Sequence, residues 1–219
     1  MAALDGFRAV FGSRADPRAS TSLLAVLTVF WGVVMLQFGE REIYAIVGTY
    51  ALFVSAVVLV LYRREAGRWF RARARDLAIG LLVGALMTAL TYPIYHLAVS
   101  WLPALAPLVA GLYRTSHEGH VAAALLWVLV IIAAEELLFR GAWLAVLERQ
   151  LGRHAAFGLS VALYAGAQAF SGSWIVGFLA LCCGALWTLE RMLTGSLVAP
   201  LVSHMIWTPT VILLHPVIH

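Results

Sequence analysis

Long apolar stretches alternate along the chain with short polar ones that carry arginines. Seven of these stretches reach or approach the roughly 20 residues a helix needs to cross a bilayer. They run approximately over residues 22–38, 43–62, 77–100, 121–139, 155–170, 174–189 and 196–214. The fifth is short and weakly bounded. The pattern predicts an all-α fold: a polytopic membrane helical bundle of about seven transmembrane helices. It predicts one integral membrane domain over residues 1–219. No large soluble domain, long linker or internal repeat interrupts it.

Composition agrees. Hydrophobic residues make up 63% of the 219 and charged residues 12%, against about 25% charged in an ordinary soluble domain. There are no lysines; all 15 basic residues are arginines. The net charge of +4 does not point to nucleic acid, because the arginines cluster beside the spans. Arg8, Arg14 and Arg18 precede the first. Arg63, Arg64, Arg68, Arg71, Arg73 and Arg75 separate the second from the third. Arg149 and Arg153 follow the fourth, and Arg191 follows the sixth. With seven alternating spans these twelve share one side, and only Arg41 and Arg114 fall on the other. The expected location is the cytoplasmic (inner) membrane, with the N-terminus in the cytoplasm. Gly39-Glu40-Arg41-Glu42 follows the first span where a signal peptide would show small residues, so that span is read as retained.

Arg63 to Arg75, with Trp69 and Phe70, reads as a topology determinant or as an interfacial turn drawn to anionic lipid. Gly80 and Gly84 in the third span permit close helix packing. Cys182 and Cys183 are adjacent in an apolar span, which excludes a disulfide framework and leaves small packing residues.

The informative polar residues are Glu135 and Glu136, adjacent inside the otherwise apolar fourth span. A carboxylate in hydrocarbon costs several kcal/mol, so such residues face the bundle interior or a wet cavity. Arg140 follows four residues after Glu136, a spacing that puts the two on one helical face as an ion pair. Glu135 lies about 100° around the helix and is not claimed by Arg140 in the same way. The pair therefore divides into a clamped, structural Glu136 and a desolvated Glu135 suited to general-base work. The alternative is that both glutamates only fix helix packing.

Two other spans offer polar partners. The seventh holds Ser203, His204 and Thr208, with the last two sharing a face. The fifth holds Tyr164 and Gln168, again four apart. At about 1.5 Å of rise per residue, Glu135 and His204 lie roughly 10 and 12 Å from the same end of their spans, and Gln168 roughly 20 Å. Glu135 and His204 can meet; Gln168 fits less well. His96, His117, His120, His154, His215 and His219 fall mostly at span ends or loops, where a surface role is the default.

Glu135-Glu136-Leu137-Leu138-Phe139-Arg140 resembles the Glu-Glu-x-x-x-Arg motif of the CPBP intramembrane proteases, which include the type II CAAX prenyl endopeptidases and bacterial Abi proteins. Their second motif, Phe-x-x-x-His, corresponds to Tyr164-Ala165-Gly166-Ala167-Gln168. Their third, His-x-x-x-Asn or Asp, corresponds to His204-Met205-Ile206-Trp207-Thr208. Order and spacing agree over about residues 121–209. The resemblance implies a glutamate intramembrane peptidase, a hydrolase acting on a membrane protein or peptide substrate in the lipid bilayer. Glu135 would activate water, Glu136 and Arg140 would position it, and His204 would donate to the oxyanion. Gln168 stands where the family has a histidine; its amide can hold a water but cannot take up a proton. Thr208 replaces Asn or Asp with a shorter donor. No metal or other cofactor is expected, since losing that histidine leaves Glu135, Glu136 and His204, with neighbouring carboxylates pointing apart. The competing readings are an inactive pseudo-protease acting as a membrane binding, immunity or scaffold protein, and a proton channel using the glutamates as a relay.

Overall fold

The computed structural model describes residues 17–37, 42–116 and 121–218. Arg8, Arg14, Arg41, His117, His120 and His219 lie outside them. The described residues form helices joined by short turns, with no strand among them. In order, the helices are α1 (Pro17–Met35), α2 (Ile43–Leu61), α3 (Arg63–Trp69), α4 (Ala74–Trp101), α5 (Leu105–Ser116), α6 (Val121–Glu135), α7 (Leu144–Leu151), α8 (Arg153–Ala169), α9 (Trp174–Thr194) and α10 (Val198–Pro209). A π-helical turn, Glu136–Trp143, joins α6 to α7 without a break. A second, Thr210–Leu214, extends α10.

Four helical runs among the described residues are long and apolar enough to cross a membrane: Ile43–Leu61, Ala74–Trp101, Val121–Leu151 and Trp174–Thr194. Ser20–Met35 and Val198–Leu214 are shorter apolar helices. The outside of the bundle is oily. Leu82, Leu86, Ile94 and Leu97 of α4 are each more than half exposed, as a lipid-facing surface requires. The polar residues Glu135, Glu136, Arg140, Gln168 and His204 are buried inside. This inversion of the soluble arrangement makes the molecule an all-α membrane bundle.

Three details depart from the sequence reading. The fourth span does not stop at Phe139 but continues to Leu151, because Arg140 is buried and paired within the bundle and so does not mark a membrane surface. The segment between the third and fourth spans forms α5, which a hydrogen bond ties to the rest: the Tyr113 hydroxyl donates to the Val211 carbonyl at 2.9 Å. The first part of the arginine-rich segment folds as α3, Arg71 and Arg73 follow it and Arg75 lies in the first turn of α4, and Trp69 and Phe70 separate. Phe70 is exposed, while Trp69 is buried. A Cβ on Gly141 would sit 2.9 Å from the Trp69 ring, so the missing side chain is what lets this tryptophan pack against the π-helical turn. The Trp69 carbonyl also accepts from the Leu197 amide at 2.8 Å.

Close helix packing sets the position of α10. A Cβ on Gly80 would meet the Ala199 carbonyl oxygen at 2.6 Å. One on Gly84 would meet the Ser203 Cα at 3.0 Å. Two glycines four apart thus let the α4 and α10 backbones approach beside His204.

Candidate active site

Four helical segments supply the site. α6 ends on Glu135, and the π-helical turn begins at Glu136. All eight residues of that turn are buried. Its i→i+5 hydrogen bonding widens the helix locally, a distortion that recurs at functional sites. α8 brings Tyr164 and Gln168, α9 brings Gly184, Trp187 and Thr188, and α10 brings His204.

Arg140 organises one half. It is fully buried, and its guanidinium donates from Nη1 to Glu136 Oε1 at 3.3 Å. Nη2 donates to the Gly184 carbonyl at 3.3 Å, and Nε to the Thr188 hydroxyl at 3.4 Å. The guanidinium also lies 4.2 Å from the centre of the Tyr164 ring, a cation–π contact. A buried charge needs this many partners, because the desolvation it suffers is several kcal/mol.

Glu135 stands in the other half, 4% exposed, and makes no ion pair with Arg140. Its Oε1 accepts from the Gln168 amide nitrogen. Its Oε2 accepts from the Tyr164 hydroxyl at 3.1 Å and faces His204 Nε2 at 3.7 Å. His204 Nδ1 lies 2.9 Å from Glu136 Oε1. The imidazole thus sits between the two carboxylates, one at each ring nitrogen. It stacks on Trp187 with centroids 3.4 Å apart and planes 16° apart, which fixes the ring's plane.

Of the residues singled out from the sequence, Glu135, Glu136, Arg140, Gln168 and His204 form one connected cluster. Gln168 reaches Glu135 although span-depth arithmetic placed it deeper. The correction follows from the longer fourth span. The chain reverses at Gly152, whose φ of 80° suits glycine. Glu135 lies 17 residues before that turn and Gln168 16 after it, so they face each other across two antiparallel helices. Thr208 is one turn beyond His204; its buried hydroxyl has no hydrogen-bond partner.

Sequence reasoning paired Tyr164 with Gln168 but did not reach Gly184, Trp187, Thr188 or Glu190. Gly184 is small because of what lies over it: a Cβ there would be 2.8 Å from Tyr164 Cδ1 and 3.1 Å from Arg140 Nη2. Glu190 is buried and accepts from the Ser203 hydroxyl at 2.5 Å. A carboxylate so close to the end of an apolar span was the one signal available for it. Among the described residues, no group of three His, Cys, Asp or Glu side chains is placed to hold a metal.

The comparisons with known proteins concern this same stretch. A family model described as "Type II CAAX prenyl endopeptidase Rce1-like" matches residues 117–209. No curated protein and no solved structure matches the chain significantly. The matched stretch runs from just before α6 to the end of α10 and contains Glu135, Glu136, Arg140, Gln168, His204 and Thr208; the match is consistent with the CPBP/CAAX protease family.

Proposed function

We propose that the chain is a glutamate-dependent intramembrane endopeptidase that cleaves a membrane-associated or C-terminally anchored protein. The observation that carries this reading is the different treatment of the two glutamates. Arg140 clamps Glu136, while Glu135 is buried, unclaimed by the arginine and aimed at His204. Glu135 takes a proton from water as the water oxygen bonds to the peptide carbonyl carbon. The carbonyl π electrons move to oxygen. The tetrahedral species collapses when Glu135 returns the proton to the leaving nitrogen and the C–N bond breaks. The productive state has His204 protonated on both nitrogens. Nδ1–H is then held by Glu136, and Nε2–H is free to donate to the oxyanion. Gln168 spends one N–H on Glu135 and keeps its second for the oxyanion or the water.

The arginine distribution supports placing the protein in the cytoplasmic membrane with its N-terminus inside. The test compares membrane-protein termini by mass spectrometry in the native host with wild type, Glu135→Gln or a deletion. A processed terminus is expected only with wild type, because removing a general base costs about 10²–10⁴ in rate. Equal processing by wild type and Glu135→Gln refutes catalysis by Glu135. A deletion phenotype fully restored by Glu135→Gln establishes the scaffold reading instead.

A further inference from the structure

A second charged site lies at one end of the bundle, away from the glutamates. Arg68, Arg71, Arg73, Asp76, Thr194, Gly195 and Ser196 line a cavity of about 170 Å³. Its walls are the end of α3 and the segment after it, the start of α4, and the turn between α9 and α10. Ser196 fixes that turn to the arginine segment by donating to the Trp69 carbonyl at 3.1 Å and the Arg71 carbonyl at 3.3 Å.

The charges in this cavity are not used up by the protein. The three arginine side chains are exposed, and none makes an ion pair with a described residue. Asp76 is 2% exposed, yet its Oδ2 has no hydrogen-bond partner. A buried carboxylate oxygen without a partner is costly for folding alone, and three solvent-exposed guanidinium groups stand beside it. A ligand carrying both signs of charge satisfies all four groups. The site lies where α4 begins and α9 ends, two helices long enough to span the membrane, so it sits at the depth of lipid headgroups.

We propose that this cavity holds a phosphoethanolamine headgroup of a membrane phospholipid. Its phosphate bonds to Arg68, Arg71 and Arg73, for which guanidinium geometry is suited, and its primary ammonium bonds to Asp76. A purely anionic headgroup would leave Asp76 facing negative charge. A choline headgroup would bring a cation with no N–H to donate.

The test uses the full chain purified in detergent and stripped of lipid. Phosphatidylethanolamine, phosphatidylcholine or phosphatidylglycerol is added in mixed micelles, and bound lipid is counted by native mass spectrometry. Wild type is expected to retain phosphatidylethanolamine about tenfold better than phosphatidylcholine, the value of one charge-assisted hydrogen bond. Asp76→Asn is expected to lose that preference and favour phosphatidylglycerol. The double variant Arg71→Gln/Arg73→Gln is expected to lose phosphatidylethanolamine. Soluble phosphoethanolamine is expected to displace the lipid, and inorganic phosphate to do so far less well. Should Asp76→Asn fail to fold, the mono- and dimethylated ethanolamine lipids replace it on wild type, with retention expected to fall at each methylation. Equal retention of the three lipids by wild type overturns the proposal. So does an unchanged preference in Asp76→Asn, or displacement by inorganic phosphate alone, which marks a simple anion site.

Discussion

Gly184→Ala adds one methyl group to α9 and strikes the site at its most crowded point. The new Cβ would lie 2.8 Å from Tyr164 Cδ1 and 3.1 Å from Arg140 Nη2. Carbon atoms prefer separations of about 3.5–4.0 Å, so one neighbour must move. Arg140 is held by three hydrogen bonds, whereas the Tyr164 side chain has one, to Glu135. The ring gives way, and its hydroxyl leaves Glu135 Oε2. Overpacking of this kind costs about 1–3 kcal/mol of stability. A lost hydrogen bond to a charged group is worth about 1.5–3 kcal/mol, which predicts a fall of roughly 10- to 100-fold in cleavage rate if that bond orients the base. Gly177→Ala is the control on the same helix, since its Cβ would meet only Ala169 at an ordinary 3.4 Å; it is expected to change stability by no more than about 0.5 kcal/mol. The assay is the rate of substrate-terminus processing, with thermal unfolding in detergent alongside. Tyr164→Phe supplies the second corner of a double-mutant cycle. If Gly184→Ala acts by displacing the hydroxyl, the two losses do not add. A Gly184→Ala protein as active as Gly177→Ala, or losses that add in full, refutes the reasoning.

Arg140→Lys keeps the charge and loses the planar fork that reaches Glu136, Gly184 and Thr188 together. It is expected to destabilise by about 2–4 kcal/mol, read as a lowered unfolding midpoint. Arg149→Lys, in an exposed pair with Glu65 at 3.5 Å, should shift stability by less than about 0.5 kcal/mol. Gly84→Val forces α4 away from α10 at Ser203, the residue beside His204. A displacement of about 1 Å at a reacting group costs about 10²-fold, so activity should fall well before unfolding does. Gly158→Ala, with open space around its Cβ position, should leave both unchanged.

The distribution of apolar runs made the helical bundle legible, because a bilayer constrains length and polarity together. Glu135, Glu136 and Arg140 were legible for the same reason: charge inside an apolar run is expensive and must be explained. The limits arose where a polar residue meant the opposite of its usual sense. Arg140 looks like the end of a span and is in fact interior, so the polarity pattern ends the fourth span too early and misplaces Gln168 in depth relative to Glu135. Nor does periodicity reveal the π-helical turn, since Glu136 and Arg140 still meet across it as they would on an α-helix. What places the turn against its neighbours are residues with no side chain to read, Gly141 beneath Trp69 and Gly184 beneath Tyr164 and Arg140; Gly80 and Gly84, beneath α10, were legible as close-packing positions.

Those glycines also explain why the site belongs to the bundle and not to the motif helix alone. Glu135 has its donors on α8 and its facing imidazole on α10, and the Trp187 ring that fixes the imidazole plane is on α9. Each helix is held at its distance by a position where one methyl group would not fit. The cluster therefore depends on backbone separations that the polar residues themselves do not set. This is why a single added methyl at Gly184 or a branched side chain at Gly84 should damage catalysis as surely as a change to the glutamate, while leaving every site side chain chemically intact.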